Sequence, residues 1–352
     1  MKILFITDLF PVKENETATP RTLFDFVEGW KLLGHNVDVI KPNFIFNSFI
    51  RKKPFYKQGN YNGILNLNFW LPFLGKMPEP KENYDIVIAH MPSGILYADK
   101  LGLPFIAGVH NSDLTVLTNP AYKFHFKKRL ETALQNAKAI ACRSYIIQKK
   151  LLALYPEFRE KSFVAPSGVD SRIIVQRTPI QNRDRIKVLT CANFKKRKNI
   201  DKVIEAIKGL EGFELTVIGD GAERSALEKL DPGVTFTGRL SNHDVLARMR
   251  DSDIFILPSV GETFGMVYLE AMASGCITIG TKGDGIDGFI RDKQNGFLTL
   301  PVSTEIRKLL LNIKNMDDDS LKVLSYNSFN TIKQLTQTAV CEHYLQQIFK
   351  IL

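Results

Sequence analysis

Cysteine is scarce in this chain, with four in 352 residues: Cys142, Cys191, Cys276 and Cys341. No two form a CxxC pair, and no His–Cys cluster has metal-ligand spacing, so no metal site is expected. Cys142, Cys191 and Cys276 sit beside apolar residues, which predicts buried free thiols and a reducing compartment. Also missing is any apolar run near the ~20 residues of a membrane span. The opening MKILFITDLF carries a single Lys and breaks at Asp8, so it reads as a first strand rather than a leader. No internal repeat or low-complexity tract stands out. These absences predict a cytoplasmic protein without a spanning segment. They leave room for peripheral attachment to the inner face of the cytoplasmic membrane.

What is present is an ordinary globular composition, 44% hydrophobic and 24% charged. The length suggests two domains. The net charge of +10 is lopsided. Residues 1–176 hold 23 Lys and Arg against 15 Asp and Glu, a net +8, and the remainder nets +2. An anionic surface or substrate suits the basic half, against the bland alternative of solubility charge.

Strand-length apolar runs alternate with amphipathic segments. Strands are expected over 2–6, 36–40, 85–89, 104–109 and 139–142, and helices over 20–33, 120–136 and 145–154. The polar stretch 171–185 reads as a linker. After it the alternation restarts with strands over 186–191, 214–219, 234–237, 254–258 and 277–280, separated by helices. The expected division is a domain over 1–175, a second over 176–330, and a helix over 331–352 packing back on the first. Such alternation implies parallel sheets covered on both faces, with ligands outside the carboxyl ends of the strands. The less regular stretch 43–81 holds Phe44, Phe46, Phe49, Phe55, Tyr56, Phe69, Trp70 and Phe73 among Arg51, Lys52, Lys53 and Lys57.

The most informative stretch follows the strand ending at Pro258. Glu262 precedes a helix expected to start near Phe264 and stop at Gly275; Glu270 lies about 12 Å further along it. A helix N-terminus offers free N–H groups and partial positive charge, which suits a diphosphate. Gly265 lets phosphate approach the backbone closely. Carboxylates on either side accept hydrogen bonds from sugar and ribose hydroxyls. The competing reading has Glu262 as a helix cap and Glu270 solvated. The GDG at Gly219–Gly221 lacks the following x-x-Gly of a dinucleotide fingerprint.

The stretch GETFGMVYLEAMASG resembles the Glu-x7-Glu segment of the retaining GT-B glycosyltransferases of family 4, glycosyl transferases group 1. VIGDGAERSALEKL, FTGRLSNHDVLARMRDSDIFILPS and NGFLT are similar to the family's segments in order and spacing. MKILFITDLFP and the SGVD at Ser167–Asp170 match more loosely. The resemblance implies an α/β, GT-B fold: two doubly wound Rossmann-like domains facing each other across a cleft that holds the active site. Residues 1–175 would bind the acceptor and 176–330 the nucleotide-sugar donor. Glu262 would hold donor-sugar hydroxyls, and Glu270 the ribose. The backbone around Thr263, Phe264, Gly265 and Met266 would meet the diphosphate. Arg239 and Leu240 would lie at the base. Lys198 would neutralise the departing diphosphate, and His110 would contact a sugar hydroxyl or the leaving group. Asp113 is a weaker candidate. Asn193 stands where the family has an Arg, so either Lys195 or Arg197 would supply that charge or one phosphate contact would be weaker. Thr19 and Arg21 replace a glycine-rich loop after the first strand and would face the diphosphate. Gly285-Ile286-Asp287 replaces a Gly-x-Pro-Glu pattern.

The resemblance also implies transfer with retention and no obligatory metal or other cofactor. The expected partners are a UDP-sugar or other nucleotide-sugar donor and a glycan or lipid-linked acceptor such as a lipopolysaccharide intermediate. The stretch 122–129 interleaves aromatics and cations, which fits an anionic membrane surface. Nucleic acid is not an expected partner. A nucleotide-sugar epimerase of the same architecture, or a non-enzymatic basic binding protein, are the competing functions.

Overall fold

The computed structural model describes residues 1–11, 22–43, 56–61, 64–70, 83–122 and 126–351. They fall into two units. Unit 1 holds Met1–Arg143, Ile147–Ser167 and Gln337–Leu352; unit 2 holds Ser144–Ile146 and Gly168–Thr336.

In chain order the first elements are β1 (Lys2–Ile6), α1 (Thr22–Leu32), β2 (Asn36–Asn43), β3 (Tyr56–Tyr61), β4 (Ile64–Trp70) and β5 (Ile86–His90). Then come α2 (Met91–Leu101), β6 (Phe105–Val109), α3 (Asn111–Thr118), α4 (Lys128–Asn136), β7 (Ala139–Cys142), α5 (Tyr145–Leu154) and β8 (Ser162–Val164). Among the described residues the strand order is β3-β4-β2-β1-β5-β6-β7-β8. Every pair is parallel except β3 with β4. β5, β6 and β7 are buried along their whole length. That is why they read as unbroken apolar runs rather than as alternating strands. The stretch taken as irregular contributes the β3–β4 pair, and the helix expected over 120–136 is confined to α4.

Unit 2 continues with β9 (Ile186–Cys191), α6 (Ile200–Ile207), β10 (Phe213–Ile218), α7 (Arg224–Glu228), β11 (Thr235–Gly238) and α8 (Asn242–Arg250). It ends with β12 (Ile254–Ile256), α9 (Met266–Ala273), β13 (Ile277–Thr281), β14 (Phe297–Thr299), α10 (Ser303–Lys314) and α11 (Asp318–Lys333). Its strands run β11-β10-β9-β12-β13-β14, all parallel. This is the doubly wound order, with strand order reversing between β9 and β12. Its core gathers Val188, Val203, Ile204, Val217, Ile254, Ile279 and Leu310, each near zero exposure. At about 1.5–3 kcal/mol per buried aliphatic side chain, this burial is the main term holding the layers together.

The stretch 171–185 packs along unit 2: Val175 N–H donates to Ala273 C=O at 2.7 Å, and Ile180 N–H to Asp253 Oδ1 at 2.9 Å. The last helix, α12 (Gln337–Ile351), packs on α1 in unit 1, where Trp30 Nε1 donates to Cys341 C=O at 3.3 Å.

Candidate active site

The reversal point of the unit 2 sheet places two loops side by side. One leaves β9 and carries the one-turn helix Lys196–Lys198; the other leaves β12 and leads into α9. Backbone and side-chain hydrogen bonds lace them together. Val260 N–H donates to Arg197 C=O at 2.9 Å, and Asn199 Nδ2 to Pro258 C=O at 2.8 Å. Asn199 has a left-handed φ of 50°, a conformation that Asn tolerates better than most residues.

Across this lacing three donors converge on one oxygen of Glu262. Lys198 Nζ lies at 2.5 Å from Oε1, Ser259 Oγ at 2.6 Å and Arg197 Nη1 at 2.7 Å. The Glu262 side chain is 16% exposed. Burial alone would push its pKa up. Lys198, Ser259 and Arg197 outweigh that and hold the carboxyl below its ordinary range. Glu262 is therefore ionised, with two cations on its carboxylate.

The loop bearing Glu262 is itself held by Asp284. Its Oδ2 accepts Gly261 N–H at 2.7 Å, and its Oδ1 accepts Glu262 N–H at 2.7 Å and Gly285 N–H at 2.8 Å. Gly285 lies flat against the same loop. A Cβ there would come within 2.7 Å of Glu262 O and 2.8 Å of Phe264 N. Sequence reasoning noted Gly285 and Asp287 but passed over Asp284 and Ser259. The Gly283-Asp284-Gly285 run was the available signal, since Asp in turns commonly takes nearby backbone N–H groups.

Helix α9 starts at Met266 behind Gly265, whose φ of 98° suits glycine, and it ends before Gly275 at φ 79° as expected. Phe264 turns its ring inward, 4.9 Å from Phe289, so only its backbone is available to a ligand at this helix start. Glu270 is half-buried, and burial raises its pKa, partly offset by Asn242 Nδ2 at 3.4 Å from Oε1.

An open hollow of about 460 Å³ brings together Asn193, Lys198, Arg239, Leu240, Glu262 and Met266, with Cys191, Asp220 and Val267 also lining it. Lys195 is exposed and outside that lining, whereas Arg197 reaches Glu262. Thr19 and Arg21 lie outside the described residues.

His110 belongs to unit 1, at the carboxyl end of β6, where it caps α3. Its Nε2 is 3.0 Å from His90 Nδ1, and its backbone N–H donates to Asp113 Oδ2 at 2.7 Å. Burial, and then the charge of Arg143, keep its imidazole neutral. His90 and Tyr344, which complete this cluster, were not legible as site residues. They stand 20 and 234 positions from His110 in the chain.

A family model described as "Glycosyl transferases group 1" matches residues 173–330, and one described as "Glycosyltransferase Family 4" matches residues 20–172. A glycosyltransferase of Methanocaldococcus jannaschii is 29% identical over 235 residues, covering 64% of each chain. A lipopolysaccharide core biosynthesis glycosyltransferase of Rhizobium meliloti is 31% identical over 137 residues, covering 38% of this chain and 40% of that one. The chain thus spans less than two thirds of the length of these relatives. Among solved structures, HepE of Anabaena in complex with UDP superposes with a TM-score of 0.72 at 16% identity, covering 99% of this chain and all of that one, which shows a shared fold. The two family matches adjoin at residue 173, the fold is GT-B, and the chain belongs to the family 4, group 1 glycosyltransferases.

Proposed function

We propose that the chain is a retaining hexosyltransferase. It would move a sugar from a nucleoside-diphosphate sugar, a UDP-hexose or UDP-N-acetylhexosamine, to a hydroxyl of a glycan acceptor. The acceptor class we favour is a lipid-linked oligosaccharide or a lipopolysaccharide or O-antigen intermediate. The observation that carries the reading is the grip of Lys198, Arg197 and Ser259 on Glu262 beside the start of α9. The UDP bound by HepE and the lipopolysaccharide role of the R. meliloti relative support the donor and acceptor classes.

In this reading a diphosphate lies at the start of α9, on backbone N–H groups near Gly265. Lys198 and Arg197 turn from Glu262 to the phosphates and stabilise the charge that grows as the glycosidic bond breaks. They supply the positive charge for which other enzymes recruit a metal, so no metal is required. Glu262, freed of its cations, accepts hydrogen bonds from donor-sugar hydroxyls, and Glu270 accepts from the ribose. The transition state is oxocarbenium-like. No carboxylate in this set is poised as a covalent nucleophile, so attack is from the front face, with the leaving phosphate taking the acceptor proton. Residues 176–330 serve the donor and 1–175 the acceptor, with the helix in 331–352 returning to the latter. The basic N-terminal half would rest on the anionic inner face of the cytoplasmic membrane.

The test is Glu262→Gln, which keeps the shape and removes the charge. Transfer should fall by about 100-fold or more, while UDP still raises the melting temperature. Normal transfer by this variant would end the assignment. Donor supplied without acceptor should stay unchanged; an epimerised sugar nucleotide would identify an epimerase instead.

A further inference from the structure

Tyr145 opens α5, yet Ser144–Ile146 belong to unit 2, and there its ring meets the segment that follows β13. The residue is 47% exposed, so it is not part of a core. One face of the ring lies on Gly288: a Cβ there would come within 2.6 Å of Tyr145 Cδ2 and 3.0 Å of Cγ. Gly288 also has a left-handed φ of 98°, so the conformation and the close approach both call for glycine. The Phe289 ring lies 4.8 Å from that of Tyr145, centroid to centroid, at an interplanar angle of 45°. Phe289 in turn meets Phe264 at 4.9 Å and 83°, the edge-to-face arrangement that ring quadrupoles favour. Both phenylalanines are buried. Phe289 is pinned at its backbone as well: its C=O accepts Asn295 Nδ2 at 2.9 Å, and its N–H donates to Ile286 C=O at 3.1 Å. Three rings thus run from the surface to the loop that leads into α9.

That loop needs outside support. Gly261 and Gly265, with φ of 80° and 98°, flank Glu262, Thr263 and Phe264 and leave the backbone free to rotate at both ends. Asp284 holds the Gly261 end through two N–H groups, and Lys198, Arg197 and Ser259 hold the Glu262 side chain. Once the two cations turn to a diphosphate, their hold on Glu262 is gone. Asp284 still secures the Gly261 end, and the Phe264 ring is the anchor beside Gly265. Its seat against Phe289 is backed from the solvent side by Tyr145.

We propose that Tyr145 and Phe289 are positioning residues for the donor: through the Phe264 ring they hold the backbone N–H groups at the start of α9 in the arrangement that receives a nucleoside diphosphate. The ring stack holds the loop whatever the ligand; its effect on affinity rests on the reading that the diphosphate lies at this helix start.

The test pairs calorimetric titration of the protein with UDP and backbone hydrogen exchange over residues 258–266 without nucleotide. Tyr145→Phe keeps the ring and should match the wild type in both. Tyr145→Ala should exchange faster over that segment and bind UDP about fivefold more weakly, roughly what one aromatic contact is worth. Donor KM should rise to match. Its kcat should stay near the wild-type value because Lys198 and Arg197 are untouched, and its melting temperature should hardly move because the ring is half-exposed. In a Phe289→Leu background Tyr145→Ala should add little, as expected of residues that act through one another. Tyr145→Leu, which keeps bulk without a ring face, serves if the alanine variant folds poorly. Unchanged exchange in Tyr145→Ala overturns the proposal, as does an equal loss in Tyr145→Phe, which would place the effect in the hydroxyl. Faster exchange with unchanged UDP affinity would overturn the role in donor binding. A wild type that binds no UDP would count against the donor reading, and exchange would still decide whether the rings hold the loop.

Discussion

Asp113 shows how much one buried side chain can ask of its surroundings. It is wholly buried, its Oδ1 has no hydrogen-bond partner, and its pKa is raised by burial to about 8. Partial offsets come from hydrogen bonds such as that from the His110 backbone. The sign of the linkage follows. Unfolded, the carboxyl titrates near 4; folded, near 8. Its contribution to stability is complete below about pH 4 and is lost as the pH rises through 8. Asparagine at 113 keeps an oxygen for the His110 N–H and never ionises. Asp113→Asn should therefore melt higher than the wild type at pH 8–9, with the difference shrinking toward pH 5. Melting curves across that range check it, and parallel profiles for the two proteins would contradict a raised carboxyl. Glu262 runs the opposite way: its cations hold it ionised, so Lys198 and Arg197 stay paired through neutral pH.

The element that matters most at the site is the loop between β12 and α9. Its geometry comes less from its own residues than from the segment after β13, where Asp284 grips two of its N–H groups and Gly285 lies against its backbone. Charge-assisted hydrogen bonds of this kind are worth about 1.5–3 kcal/mol each. Asp284→Asn replaces one accepting oxygen by a donor that faces another donor. We expect a loss of about 2 kcal/mol in stability by denaturant titration and at least a tenfold fall in kcat. Gly285→Ala should lower kcat by a similar factor, because its Cβ meets backbone rather than a flexible side chain. Wild-type kcat in both variants would show that the loop holds Glu262 unaided. The β3–β4 pair belongs to this scale too. Two residues, Asn62-Gly63, separate its antiparallel strands. That dipeptide is a strong hairpin signal, outweighed here by the surrounding aromatics and cations.

For the whole molecule, the two sheets share one construction principle, each with a central first strand and neighbours added on both sides. No helix among the described residues is long and apolar enough to cross a membrane. The charge nevertheless divides unevenly, with +8 of the net +10 carried by residues 1–176. If that excess serves an anionic surface, the protein should sediment with vesicles containing phosphatidylglycerol and not with neutral phosphatidylcholine vesicles. Raising the salt from about 0.1 M to 1 M shortens the screening length from about 10 Å to 3 Å and should release it. Equal binding to both vesicle types, or to neither, would reject the membrane role.

The parallel sheets, the ends of α9, and the grouping of Glu262 with Lys198 around one hollow were legible in the sequence. The first two follow from local rules: β-run length, helical period, and glycine at left-handed positions such as Gly265 and Gly275. The third came from a resemblance that preserves the order of motifs. What tertiary structure decided were the contacts between residues far apart in the chain. Arg197 rather than Lys195 reaches Glu262, Asp284 clamps a loop 22 positions upstream, and Tyr344 closes on His90 from 254 positions away. Local preference carries no information about such pairs. They form because burying the apolar faces of two sheets brings strand ends together and leaves each polar group there only the partners within reach.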